Sequence, residues 1–201
     1  MSLFLKSLKR RLNPGFIPWM RRGFASPSPQ KVKMRVLERR GIPNTNWIET
    51  GTYLGDTSRV LSKLGTKVLT IEPQGELFLN AKRKLSKLNN IEFLHGTSEE
   101  CLDVAILKLS GEVNFWLDGH FSGDVTFKGA TLSPIQFELE TIEKHLTRFN
   151  RTTIFIDDIR VFPVRENSDS DYPTVGWLID WALRNGFDYT IEHDIFIMNQ
   201  F

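Results

Sequence analysis

The fold of this protein is decided by the stretch Glu49-Thr50-Gly51-Thr52-Tyr53-Leu54-Gly55-Asp56-Thr57-Ser58, in which a short strand passes through a glycine-bearing turn into a helix. Gly51 and Gly55 allow the backbone of the turn to approach a ligand closely. The helix start offers N–H groups and a positive dipole end to a carboxylate, with Thr57 and Ser58 beside them. Because a short glycine motif also occurs in simple tight turns, its meaning depends on the surrounding chain.

The surrounding chain has the pattern of an α/β domain. Short apolar runs, suited to buried parallel strands, alternate with amphipathic segments. The predicted strands are Trp47–Thr50, Val68–Glu72, Ile91–His95, Val113–Asp118 and Thr153–Asp157. The predicted helices are Thr57–Leu64, Glu76–Leu88, Ser98–Leu109, Pro134–Phe149 and Thr174–Asn185, the last closed by Gly186 in a left-handed conformation. Two further extended runs, Asp188–Glu192 and Ile195–Asn199, predict an antiparallel hairpin at the sheet edge.

Length and composition indicate one globular domain with a short extension. The 201 residues include 40% hydrophobic and 25% charged residues, which excludes the disordered and collagen-like classes. A single cysteine, Cys101, excludes an intramolecular disulfide and a cysteine-based zinc site. Ser26-Pro27-Ser28-Pro29 predicts a stiff connector, so we expect a basic arm with its linker at residues 1–29 and the folded domain at residues 30–201.

The charges are distributed unevenly along the chain. Residues 1–40 hold 11 of the 26 Lys and Arg residues but only one of the 24 acids, Glu38, so they carry a net charge of +10 and the remainder carries −8. Residues 1–25 can contact an anionic membrane surface, bind another polyanion or fold back onto the acidic body, and folding back or solvation is favoured. We do not expect nucleic acid as a partner. No apolar run approaches the ~20 residues of a membrane span and no secretion signal is evident, so a cytoplasmic location is expected, with peripheral membrane contact as the variant.

Polar residues follow the second and third predicted strands. In open α/β sheets, ligands bind at the carboxyl ends of the strands where the strand order reverses. Glu72 can accept both hydroxyls of a ribose there, and Gly96-Thr97-Ser98-Glu99 is placed to contact an adenine edge. The structural alternatives are a solvated strand end for Glu72 and a helix cap for Ser98. The succession of sites favours a nucleoside ligand, and the missing Gly-x-Gly-x-x-Gly disfavours a nicotinamide dinucleotide.

Acidic residues follow the fourth and fifth predicted strands. Asp118 and the pair Asp157-Asp158 would form a costly like-charge cluster unless a cation lies between them. Oxygen ligands without cysteine suit a hard divalent ion such as Mg²⁺, Mn²⁺ or Ca²⁺. The alternative is that one or two of these acids cap the next segment or pair with Arg160.

Together these motifs resemble the class I S-adenosylmethionine-dependent methyltransferases. The similarity is most specific to the metal-dependent O-methyltransferases of the catechol type and to the macrocin-type enzymes that methylate sugar hydroxyls, and it covers roughly residues 45–200 in motifs and strand order. It implies a Rossmann-like methyltransferase sandwich with helices on both faces. Its mostly parallel sheet would have the order 3-2-1-4-5-7-6 and end in an antiparallel hairpin.

The resemblance also implies a binding site for S-adenosylmethionine. It places Gly51, Tyr53 and Thr57 at the amino acid half of the cofactor. Glu72 is placed at the ribose, and Ser98 and Glu99 at the adenine. The complete set of predicted cofactor-binding residues is Glu49, Gly51, Thr52, Tyr53, Gly55, Thr57, Glu72, Ser98 and Glu99.

In the resembled enzymes the acids bind Mg²⁺, which implies a Mg²⁺ or Mn²⁺ site at Asp118, Asp157 and Asp158. Such an ion lowers the pKa of an acceptor hydroxyl and aligns its oxygen with the methyl group. Asp118 and His120 are the predicted catalytic residues, although the catechol enzymes place a lysine where this chain has Phe121, so the base stays open.

The expected function is methyl transfer to the hydroxyl of a small-molecule or glycan acceptor. Two alternatives remain open. One is a metal-independent methyltransferase acting on nitrogen or on a protein side chain, in which the acids bind a cationic substrate. The other is a non-catalytic cofactor-binding or interaction protein that docks through its basic tail.

Overall fold

The computed structural model describes residues 15–118, 133–166 and 171–200. Their α-helices are α1 (Phe16–Arg21), α2 (Gln30–Arg40), α3 (Asp56–Leu64), α4 (Gly75–Lys84), α5 (Ser98–Leu107), α6 (Ile135–His145) and α7 (Val175–Arg184). The strands are β1 (Asn46–Thr50), β2 (Lys67–Glu72), β3 (Ile91–His95), β4 (Gly111–Leu117), β5 (Phe149–Ile156), β6 (Asp188–Glu192) and β7 (Ile195–Asn199). Short 3₁₀ turns lie at Leu146–Arg148 and Ile159–Val161.

The strands form one sheet whose order confirms the prediction. The order is β3-β2-β1-β4-β5-β7-β6. Strands β1 to β5 pair in parallel, and β7 pairs antiparallel with both β5 and β6. The order reverses at β1, which lies between β2 and β4. The carboxyl ends of β1, β2 and β4 therefore lie side by side, and this edge of the sheet is where the site is expected.

Two hydrophobic cores, one on each face of the sheet, hold the layers together. Successive strand residues point to opposite faces, so neighbours in sequence belong to different cores. One core joins helices α5, α6 and α7 to strand residues that include Ile48, Leu69, Phe115 and Ile154. The other joins helices α2 and α3 to Trp47, Val68, Trp116 and Phe155. Helices cover both faces, as predicted.

Side chains next to the helices fix where several of them begin and end. A capping box between Thr97 and Glu100 starts α5, and the Thr174 hydroxyl starts α7 by accepting a hydrogen bond of 3.0 Å from the N–H of Trp177. Gly186, at φ 76°, confirms the predicted left-handed residue after α7. Local sequence therefore sets these boundaries.

Two predicted helices extend four residues too far. The expected helix Glu76–Leu88 ends at Lys84. The expected helix Pro134–Phe149 ends at His145, and Phe149 already belongs to β5, where it pairs with Gly111 of β4. Pairing with the neighbouring strand decides this boundary, because the ladder satisfies backbone groups that the helix would otherwise hold.

The segment before α2 lies on the turn of the β6–β7 hairpin. Trp19 is only 5% exposed, and its ring lies 4.9 Å from that of Phe24 and 5.6 Å from that of His193. The hydroxyl of Ser28 lies 3.5 Å from Nδ1 of the same histidine. The domain start at residue 30 and the membrane or polyanion contact of residues 1–25 stay predictions, and residues 1–14 lie outside the described residues.

Within residues 15–118, 133–166 and 171–200, no helix is both long and apolar enough to cross a membrane.

Candidate functional site

The turn between β1 and α3 adopts a left-handed backbone at three positions. Gly51, Tyr53 and Gly55 have φ angles of 86°, 47° and 73°. The N–H groups of Gly51 and Thr52 donate to the carbonyl of Ile71 at 3.0 and 3.2 Å, which fixes the turn to the end of β2. The side chain of Tyr53 is on the surface, with 47% of the residue exposed.

Glu72 is held at the end of β2 by two backbone donors. Its Oε2 accepts from the N–H of Tyr53 at 2.7 Å and its Oε1 from the N–H of Gln74 at 3.0 Å. Burial raises the pKa of Glu72, although both hydrogen bonds act in the opposite direction. The carboxylate predicted to hold a ribose is therefore oriented by the turn predicted to hold the rest of the ligand.

Glu49 and Thr52 have their side chains beneath the turn. Glu49 is fully buried, and its Oε2 accepts from Ser58 Oγ at 2.5 Å and from Thr70 Oγ1 at 2.6 Å. Thr52 Oγ1 lies 2.5 Å from the same threonine hydroxyl. Burial raises the pKa of Glu49 to about 7, and its Oε1 has no hydrogen-bond partner among the described residues. These hydrogen bonds stabilise the turn from within the protein. Because the Ser58 hydroxyl donates to Glu49, it does not donate to a ligand.

Gly55 and Thr57, two further residues predicted to bind the cofactor, lie close to other residues of the protein. A Cβ on Gly55 would lie 2.8 Å from Cδ1 of Leu85, so Leu85 would have to shift to admit a side chain there, and the positive φ disfavours one as well. Thr57 Oγ1 accepts a hydrogen bond of 3.0 Å from Nε2 of Gln30. Gln30 belongs to α2, so that helix reaches the turn.

Ser98 and Glu99, the predicted adenine contacts, occupy the first turn of α5. Ser98 is buried and Glu99 is exposed, while the capping roles belong to their neighbours Thr97 and Glu100. The alternative that Ser98 is the helix cap is therefore wrong. The N–H of Gly96 donates to the carbonyl of Glu72 at 3.2 Å, which places this segment beside the ribose candidate.

The acidic residues lie on adjacent strand ends. Asp118 directly follows β4 and Asp157 directly follows β5, whereas the prediction included each of them in its strand. The N–H of Asp118 donates to the carbonyl of Thr50, and the N–H of Asp157 donates to the carbonyl of Leu117, both at 3.1 Å. These ladder contacts place Asp118 between the β1 turn and the Asp157-Asp158 pair. The sheet therefore brings the cofactor candidates and the acids to one edge.

A lysine from α2 lies between the two paired acids. Lys33 Nζ is 2.5 Å from Oδ1 of Asp157 and 2.5 Å from Oδ1 of Asp158, and the lysine side chain is only 6% exposed. Burial disfavours the ammonium, but the attraction of the two carboxylates outweighs it and raises the pKa of Lys33. A protein cation thus balances a pair of acids for which the sequence predicted a metal ion.

Arg160 supplies a second cation to the same group of acids. Its Nη1 and Nη2 donate to Oδ1 and Oδ2 of Asp158 at 2.6 and 3.1 Å, and Nη1 also donates to Asp194. This pairing confirms the alternative in which one of the acids contacts Arg160. Asp158 has φ 55°, and its N–H donates to Oδ1 of Asp157 at 2.8 Å, so the turn itself is built around the pair.

The structure gives no support to the predicted divalent metal site. Among the described residues, no group of three His, Cys, Asp or Glu side chains is placed to hold a metal ion. Asp157 and Asp158 direct oxygens at Lys33 instead, so the donor set does not fit a metal ion in this arrangement. His120, the predicted base, lies outside the described residues.

Lys33 and Gln30 are site residues that the sequence analysis missed. A lysine within an amphipathic helix is ordinarily assigned to its solvent face, so the local pattern gave no sign that Lys33 is buried. The only available signal was the unbalanced charge of the acids, which called for a cation without saying where in the chain it resides.

A tyrosine lies next to the acids. Burial raises the pKa of Tyr172 to about 12, and the charges of Asp158 and Asp118 act in the same direction. Its phenol is therefore protonated at neutral pH and can donate a hydrogen bond. Tyr172 borders a small cavity whose wall also includes Leu117, Ser133, Ile156, Asp157 and Phe162.

Solved structures that resemble this chain include a SAM-dependent methyltransferase, a precorrin methyltransferase and the protein DhpI. A SAM-dependent methyltransferase from Aquifex aeolicus has 18% sequence identity and a TM-score of 0.51, covering 86% of this chain and 93% of that chain. The precorrin-6y C5,15-methyltransferase from Geobacter metallireducens GS-15 has 13% identity and a TM-score of 0.54, covering 86% and 88%. DhpI, solved as a complex with SAH, has 15% identity and a TM-score of 0.50, covering 98% and 93%.

At these identities the likeness establishes the Rossmann-like methyltransferase fold. No protein-family model and no curated protein matches the sequence.

Proposed function

We propose that this protein is an S-adenosylmethionine-dependent methyltransferase that methylates a hydroxyl oxygen of a small-molecule or glycan acceptor. The observation that carries the proposal is the carboxylate of Glu72, held by the N–H groups of Tyr53 and Gln74 beside the left-handed turn. An ionised carboxylate has about four acceptor positions and these donors use two, so capacity remains for ribose hydroxyls. The fold shared with a solved SAM-dependent methyltransferase supports the same ligand.

The proposed chemistry is direct transfer of a methyl group to the acceptor oxygen. The bound cofactor supplies a methyl group on a sulfonium. With the cofactor bound, the acceptor oxygen would bond to that methyl carbon as the carbon–sulfur bond breaks with its electron pair on sulfur, and the hydroxyl proton would pass to a base. We assign Asp118 to this end of the reaction because it follows β4, next to the turn that follows β1. His120 stays a predicted base on sequence grounds.

The charges around the paired acids favour a neutral acceptor. Asp157 and Asp158 already contact Lys33, and Asp158 also contacts Arg160. A cationic amine would have to compete with these ammonium and guanidinium groups for the same carboxylates. We therefore retain the hydroxyl acceptor in preference to a nitrogen acceptor, and we derive no step through a metal ion.

The role of Glu72 is tested by Glu72→Gln, with Glu76→Gln as the matched control. Glu76 is an exposed glutamate in the first turn of α4, so its replacement leaves the turn unchanged. Because hydrogen bonds to a charged acceptor are worth about 1.5–3 kcal/mol, we expect Glu72→Gln to weaken S-adenosylmethionine binding roughly 10- to 100-fold. Titration calorimetry measures the affinity of each variant.

Two results would contradict the proposal. The first is a wild-type protein that does not bind S-adenosylmethionine or S-adenosylhomocysteine. The second is equal affinity in Glu72→Gln and Glu76→Gln, which would remove the ribose role. Circular dichroism confirms that each variant is folded before its affinity is compared.

A further inference from the structure

We propose that the ammonium of Lys33 is the permanent cation shared by Asp157 and Asp158 and that it makes the site independent of divalent metal ions. Its nitrogen lies between two of the carboxylates that the sequence predicted to bind a metal ion. Lys33 is thus a positioning residue, which holds the carboxylates of Asp157 and Asp158 in fixed orientations. The effect on turnover rests on the proposed function, whereas the effect on metal binding does not.

The geometry makes the lysine and a metal ion mutually exclusive. Lys33 Nζ lies 2.5 Å from one oxygen of Asp157 and 2.5 Å from one oxygen of Asp158. Mg²⁺ and Ca²⁺ bind carboxylate oxygens at about 2.0–2.6 Å, so an ion bridging the same two oxygens would occupy the volume of the ammonium. Repulsion between the two cations at that distance would add to the steric conflict.

The lysine is fixed in this place by the helix that carries it. Met34, Val36 and Leu37 of α2 are buried in the core beneath the sheet. The chain after the helix is held by two hydrogen bonds of 2.9 Å, from the N–H of Ile42 to Asn114 Oδ1 and from Asn114 Nδ2 to the carbonyl of Ile42. The ammonium is therefore positioned before any ligand binds, as a metal ion would be.

The start of the same helix reaches the cofactor turn. Gln30 Nε2 donates to Thr57 Oγ1 at 3.0 Å, one helical turn from the lysine that contacts the acids. Helix α2 thus connects the turn after β1 with the acids after β5, which are the two halves of the candidate site. This connection places Lys33 within the site and not merely in a distant structural ion pair.

The test compares Mn²⁺ binding to the wild type, Lys33→Ala and Lys31→Ala by titration calorimetry and electron paramagnetic resonance. Lys31 is exposed on the same helix, so its replacement is a matched control. We expect Lys33→Ala to bind one Mn²⁺ at least tenfold more tightly than the wild type and Lys31→Ala. The double variant Lys33→Ala/Asp157→Asn should lose that gain.

Equal Mn²⁺ affinity in the wild type and Lys33→Ala would overturn the proposal. If Lys33→Ala does not fold, the wild type is compared with Asp157→Asn. Wild-type Mn²⁺ binding that Asp157→Asn abolishes would overturn the proposal, and equal affinity in the two supports it.

Turnover gives a separate readout. Methyl transfer by the wild type should survive EDTA treatment. Loss of activity that Mn²⁺ restores would overturn the metal independence while leaving the proposed methyltransferase intact. A protein that binds no cofactor would remove the proposed function, and the Mn²⁺ titrations would still decide the role of Lys33.

Discussion

At the scale of single residues, Glu49 is a carboxyl group whose burial is coupled to pH. Its pKa rises from 4.5 to about 7 in the folded protein because it is removed from water. The fold thus favours the protonated form: the stabilisation is complete below pH 4.5 and is lost as the pH rises through about 7. Between pH 5 and pH 8 we expect the free energy of unfolding to fall by about 2 to 3 kcal/mol from this group.

Glu49→Gln should remove this dependence, because the amide does not titrate. Urea unfolding at pH 5 and pH 8 measures the change, and Glu76→Gln, at an exposed position, should follow the wild type. Parallel curves for Glu49→Gln and the wild type would show that the carboxyl titrates normally in the fold.

At the scale of secondary structure, the start of α3 requires glycine for two separate reasons. Gly55 has φ 73°, and a Cβ there would lie 2.8 Å from Cδ1 of the buried Leu85. Gly111 has φ 82°, and a Cβ there would have no atom within 4 Å. An alanine at this position therefore measures the cost of the left-handed backbone without a packing conflict. We expect Gly111→Ala to cost about 1–2 kcal/mol and Gly55→Ala to cost about 1–3 kcal/mol more.

Thermal unfolding of the two glycine variants measures the difference. Equal losses of stability would mean that Leu85 moves aside without cost, and that only the left-handed backbone selects glycine at the start of α3.

At the scale of the whole molecule, a substitution of Trp19 tests where the folded domain begins. The ring of Trp19 packs against the ring of His193 in the turn of the β6–β7 hairpin, although the two residues are far apart in the sequence. Because the Trp19 side chain is buried, Trp19→Ala should reduce the free energy of unfolding by about 3 to 5 kcal/mol. Ile17 of the same helix is 38% exposed, so Ile17→Ala should cost less than about 1 kcal/mol.

Denaturant unfolding of both variants distinguishes the two domain boundaries. A large loss in Trp19→Ala alone would extend the folded unit to α1. Losses below about 1 kcal/mol in both would agree with a domain that begins near residue 30.

Sequence alone was sufficient for those features that depend on neighbouring residues. The hairpin strands Asp188–Glu192 and Ile195–Asn199 and the strand Ile91–His95 agree with the prediction at both ends, because alternation and turn residues are local signals. The order of the sheet was implied by the resemblance to class I S-adenosylmethionine-dependent methyltransferases, and the structure confirms it. The strand ends that gather the candidate site residues could therefore be predicted as well.

Only the tertiary structure decided how the acids at the site are balanced. Lys33 and Asp157 are 124 positions apart in the sequence. The residues around either one therefore do not predict that the two side chains are in contact. The sequence showed that adjacent carboxylates require a cation, since like charges repel in a poorly solvated place. Whether that cation is an ion from solution or a side chain depends on where α2 packs, and packing places the ammonium of Lys33 between the two acids.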